Sequence, residues 1–124
     1  MAKADGRIDA DRDLTTFVVD GDLTAAEIVQ YSSEYYEESP TRSVLWDATS
    51  GTVNGISSEE LRNVAKRMLN HTKRRSGGKT ALVGRFDIDF GLARQYEAYA
   101  KMEQLPVQYQ IFRNVEEAME RLEL

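Results

Sequence analysis

The residue types able to do chemistry lie in five short stretches of this chain. Asp9-Ala10-Asp11-Arg12-Asp13 sets carboxylates at every second position, as the start of a calcium loop does. The glycine such a loop needs would fall on Leu14 and its bidentate glutamate on Asp20, so the pattern fails. Acidic residues on a sheet edge, which discourage pairing with other chains, explain it instead. Asp87-Ile88-Asp89 brings two carboxylates to a helix start, where a divalent ion could be held, yet capping and the helix dipole account for both. Gly77-Gly78-Lys79-Thr80 resembles the tail of a phosphate loop, but the earlier glycine position is Lys73 and a strand follows where a helix should. Gly55-Ile56-Ser57-Ser58-Glu59 lacks the second glycine of a hydrolase elbow and follows a loop. His71, beside Lys73 and Arg74, has no carboxylate to make it a base and reads as a surface residue. No nucleophile–base pair or metal cluster emerges, so the expected reading is no enzyme, no metal and no cofactor.

Composition narrows the classes further. The 124 residues carry a net charge of −5, no cysteine and one histidine. Disulfides, thiolate nucleophiles, Cys-ligated zinc and multi-histidine metal sites are therefore excluded. An acidic chain is a poor partner for nucleic acid, whose binding is driven by neutralised phosphates. The basic stretch from Lys66 to Lys79 is read as cations at the negative end of a helix dipole. The charged start Met1-Ala2-Lys3-Ala4-Asp5-Gly6-Arg7 does not suit a signal peptide and no run reaches membrane-spanning length, so a soluble, cytoplasmic protein without membrane insertion is expected.

The elements that must position these residues follow from apolar periodicity. Residues 7–13 and 14–20 read as two strands of an antiparallel hairpin, and Gly21-Asp22 turns the chain. Helices are expected from Ala25 to Glu38, Ser58 to Arg75, Asp89 to Gln104 and Val115 to Leu122, each with apolar residues at helical spacing. Three of them begin with capping signals: Thr24-Ala25-Ala26-Glu27, Ser57-Ser58-Glu59-Glu60 and Asn114-Val115-Glu116-Glu117. Between the helices, Ser43–Asp47, Thr80–Gly84 and Val107–Phe112 read as strands, with a loop from Ala48 to Ile56. The order β-β-α-β-α-β-α-β-α over residues 1–124 predicts a single α/β domain with a mostly parallel five-stranded sheet and an antiparallel strand at its N-terminal edge. Sites in such sheets favour the loops beyond the strands' carboxyl ends: 21–24, 47–57, 84–89 and 113–114. Tyr31, Tyr35 and Tyr36 on the first helix and Tyr96 and Tyr99 on the third suit core packing or a homodimer surface.

Gly21-Asp22-Leu23-Thr24, Val44-Leu45-Trp46-Asp47, Phe90-Gly91-Leu92-Ala93-Arg94 and Phe112-Arg113-Asn114-Val115-Glu116-Glu117-Ala118, taken with the element order, resemble the SpoIIAA-like family of STAS-type domains over residues 14–122. The resemblance implies a regulatory or protein-interaction module that binds a partner or itself at the start of its second main helix, where a serine is phosphorylated in anti-sigma-factor antagonists. Carried onto this chain, that serine is Ser57 or Ser58, although Glu59 and Glu60 follow directly and would repel a phosphate. Asp47, expected to end a strand near Ser57, and Arg94, able to clamp a carboxylate or phosphate, complete the candidate site. The alternative from another branch of the same resemblance is a carrier or sensor of a small apolar, lipid-like ligand held under the helices.

Overall fold

Three helix starts are set by the capping side chains that the sequence marks. Thr24 Oγ1 accepts from the Glu27 amide at 3.2 Å while Glu27 Oε1 accepts from the Thr24 amide at 3.0 Å. Ser57 and Glu60 form the same reciprocal box, and Asn114 Oδ1 accepts from the Glu117 amide at 2.8 Å. Each satisfies N–H groups that a helix terminus leaves without partners.

The computed structural model describes residues 3–38, 40–122 and 124. The chain runs β1 (Lys3–Asp9), β2 (Leu14–Asp22), α1 (Ala25–Glu38), β3 (Ser43–Thr52), α2 (Ser58–Thr72), a 3₁₀ turn (Lys73–Arg75), β4 (Lys79–Val83), α3 (Asp87–Met102), β5 (Gln108–Phe112) and α4 (Val115–Leu122). The strands lie side by side in sequence order, β1 antiparallel to β2 and the rest parallel. This is the mixed α/β sheet that the element order predicts. Two boundaries differ in ways that matter. The first strand begins at Lys3 and the hairpin turns through residues 10–13, with Asp13 at φ 52°, a left-handed value that aspartate tolerates. The third strand continues five residues beyond Asp47 to Thr52, because a bulge at Ala48–Thr49, opposite Val19, takes up one extra residue and lets Ser50 and Gly51 pair with Asp20 and Gly21.

Sequential parallel strands return each crossover helix to the same face. Here α1, α2 and α3 share one face, over a core that includes Phe17, Val19, Val44, Tyr36, Val64 and Met68. The other face carries α4 alone, packed by Ala118 and Leu122 onto Leu45, Ala81 and Phe112. Phe17 and Trp46, neighbours across β2 and β3, stack at 4.3 Å between ring centroids under Tyr35.

Arg75 departs from the reading of the basic stretch as cations set only against the negative end of a helix dipole, because its side chain is built into the interior. It is 7 % exposed. Its Nε donates to Thr41 O at 2.8 Å, Nη1 to Tyr36 Oη and Thr80 Oγ1 at 3.1 Å each, and Nη2 to Arg42 O and Lys79 O at 2.9 Å each. One guanidinium thus joins the end of α1, the entry to β3 and the start of β4. Replacing Arg75 by Met is expected to leave buried carbonyls unpaired and to cost about 3 kcal/mol or more. Urea unfolding that gave a loss below about 1 kcal/mol would show the network to be dispensable.

Candidate functional site

A cavity of about 130 Å³ lies between the sheet and the three-helix layer. Phe17, Trp46 and Leu82 form its sheet side, and Tyr36, Met68 and Tyr96 meet it from α1, α2 and α3. Trp46 and Leu82 stand on interior strands and are nonetheless only half-buried, because the surface they leave accessible faces this cavity. The lining is overwhelmingly apolar, and its charged side chains sit at opposite ends of the strands. Arg75 is bound where β3 and β4 begin, whereas Asp89 stands beyond the end of β4.

Asp89 is the third residue of α3 and is 2 % exposed. Its Oδ1 accepts from Thr52 Oγ1 and from the Val53 amide, both at 2.8 Å, which closes the β3–α2 connection onto α3. Its Oδ2 is the one buried side-chain polar atom among the described residues with no hydrogen-bond partner. Reading the Asp87–Asp89 pair as capping groups missed this, since the partners are 36 and 37 residues away.

At the cavity's tyrosine wall, Tyr96 and Tyr109 meet edge to face at 5.3 Å. Removal from water pushes the Tyr109 hydroxyl up to about 12, and raises Tyr96 well above its ordinary value for the same first reason. Burial also raises Tyr35, against the opposing pull of the Arg75 charge.

The residues expected from sequence to form a site do not converge. Asp47 is a mid-strand residue on the face that Leu45 turns toward α4, and it does not border the start of α2. Its Oδ1 accepts from the Thr49 amide at 2.9 Å and the Thr49 hydroxyl at 2.6 Å, inside the bulge, where an amide drops out of the ladder. Ser57 is committed to its capping box; the Ser57 amide, then its hydroxyl, holds the Glu60 carboxyl below its usual range. Ser58 Oγ donates to Gln95 Oε1 at 2.8 Å and so links α2 to α3. Arg94 is exposed on α3, next to that link in sequence. His71 is half-buried and stacks on Tyr36 at 5.4 Å, so it is not a free surface residue. Among the described residues no three His, Cys, Asp or Glu side chains are grouped to hold a metal ion.

Comparison with solved structures decides the fold. A structure of an uncharacterized DUF3478-family protein with a SpoIIAA-like fold, from Shewanella loihica PV-4, superimposes with a TM-score of 0.59 at 18 % identity, covering 98 % of this chain and 93 % of that one. The fold is SpoIIAA-like. No family model matches the chain, and no curated protein matches it. In this SpoIIAA-like domain no helix among the described residues is long and apolar enough to cross a membrane.

Two outcomes follow from the geometry. Ser57→Ala is expected to cost about 1 kcal/mol by loss of the cap, read as a lowered urea midpoint; an unchanged midpoint would show that the box contributes nothing. Because Tyr109 is raised when folded, its contribution to stability is full below its unfolded value near 10 and is lost as pH rises towards 12. Melting temperature should therefore fall across that window, and less steeply in Tyr109→Phe; identical slopes would contradict the assignment.

Proposed function

We propose that this domain is a non-enzymatic binding module that takes a small apolar molecule into the cavity between its sheet and helices. The observation that carries the reading is the cavity itself. An apolar cavity of roughly 150 Å³ is enough to hold benzene, so the size suits a single ring or a short branched chain. Ser57, Ser58, Asp47 and Arg94 each have a structural or solvent-facing setting that gives no support to a phosphate switch.

A regulatory or partner-binding role is compatible with this fold, and one observation favours it as the readout of the same module. Phe86 and Ile88 are 52 % and 53 % exposed at the start of α3, two residues apart and next to the buried Asp89. Large apolar side chains held in water at a helix start are suited to contact with another protein. A partner protein or a second copy of the chain are the two occupants of that kind.

Filling the cavity tests the reading. Ala93 lines it from α3, and Ala93→Leu is expected to raise stability by about 1–2 kcal/mol. Native mass spectrometry of gently purified protein should find a small apolar molecule on the wild type and none on the variant. A variant no more stable than the wild type, with both ligand-free in native spectra, would remove the basis for a ligand.

A further inference from the structure

We infer that the cavity takes a planar aromatic ring, which lies over Leu82 and stacks on the face of Trp46 that Phe17 leaves bare. This rests on the cavity being a ligand site and adds the shape and chemical class of what it takes.

The register of the sheet carries the inference. Phe17, Trp46 and Leu82 stand side by side on β2, β3 and β4, and all three line the cavity on the face that α1, α2 and α3 cover. The Phe17 and Trp46 rings lie 4.3 Å apart at 19° between planes, close to the spacing of about 4.8 Å between neighbouring strands. Both rings therefore stand upright on the sheet, with their faces turned across the strands. Phe17 takes one face of Trp46, so the other looks towards β4. Among the described residues no second ring packs on it. Its neighbour there is Leu82, which reaches less far from the sheet than an indole and, like Trp46, keeps accessible surface on an interior strand. The space is left above that leucine. Ala93 and Tyr96 bound it from α3, which packs over β4 and β5, and Tyr109, opposite Thr80 in the register, bounds it one step nearer the strand starts. The outcome is a slot with an aromatic wall and an aliphatic floor. A flat ring in it extends the Phe17–Trp46 stack by one member, and stacked rings gain stability beyond the area they bury. A saturated ring or branched chain covers the same area without that gain. A cation is also drawn to an indole face, but here it would shed its water into an overwhelmingly apolar lining.

The test is ligand-observed NMR titration of the intact chain with toluene, methylcyclohexane and tetramethylammonium. With each hydrocarbon's affinity taken relative to its partition from water into octanol, toluene is expected about three- to tenfold ahead of methylcyclohexane, the factor that one stacked pair confers. Its ring protons should move upfield on binding, because the indole ring current shields what lies over its face. Trp46 is the one tryptophan of the chain, so its fluorescence should change over the same titration. Trp46→Leu removes the aromatic wall and keeps the lining apolar, so the normalised ratio should fall towards one while methylcyclohexane still binds. Equal normalised affinities on the wild type without an upfield shift would overturn the inference while the cavity reading stands, as would tetramethylammonium binding tightest. Failure of both hydrocarbons to bind would overturn the cavity reading itself. Should the variant not fold, the ratio and the shift on the wild type decide.

Discussion

The buried guanidinium of Arg75 is the constraint around which this domain is arranged. A charge removed from water is tolerated only when every donor is matched, and here five donors meet five neutral acceptors drawn from α1, the β3 entry and β4. The requirement propagates. Tyr35 Oη donates to Thr41 O and accepts from the Thr41 amide, both at 2.7 Å, which holds the Thr41 carbonyl where Nε reaches it. Gly78 must be glycine, since a Cβ there would stand 2.7 Å from Arg42 O and 2.9 Å from Arg75 O. Gly78 therefore lets the chain pass close beside the arginine it has just placed.

The sheet's simple strand order has its own consequence for function. Doubly wound sheets bind ligands where the strand order reverses and helices diverge to opposite faces. With strands in sequence order 1 to 5 there is no reversal, and the three crossover helices crowd one face. The cavity lies instead within the layer, between helix and strand, where broad aromatic faces, Trp46, Tyr96 and Tyr109, meet at angles that leave space between them. The loops beyond the strand ends still contribute, because Asp89 joins the 52–53 and 84–89 segments at one end of that space.

What the sequence discloses and what it conceals divide along contact range. Caps read three residues ahead, such as Thr24 with Glu27 and Asn114 with Glu117, are legible because donor and acceptor lie in one turn of chain. Helix faces are legible for the same reason. Asp47, Arg75 and Asp89 are not. Nothing local distinguishes Arg75 from Lys73 or Arg74, yet one is buried and the others exposed, because the partners that solvate it lie up to 39 residues away. Asp47 looked like a strand end because the residues after it are turn-formers, and the bulge that admits them into β3 depends on pairing with β2. The cavity is the extreme case, since absence of packing has no signature in any single residue.

The two charged residues of the cavity differ in a way that bears on how binding could be reported outside. Arg75 is saturated, with each of its five guanidinium donors matched. Asp89 is divided: one oxygen fastens the Thr52–Val53 segment, the other is unmatched, and the residue sits on the helical turn that carries the exposed Phe86 and Ile88. The same residue thus ties the β3–α2 connection to the first turn of α3, so a shift of either segment must be accommodated by the other through this one carboxylate. What keeps an aspartate so deep beside an apolar wall is the connection it closes, since Oδ1 alone holds both Thr52 and Val53.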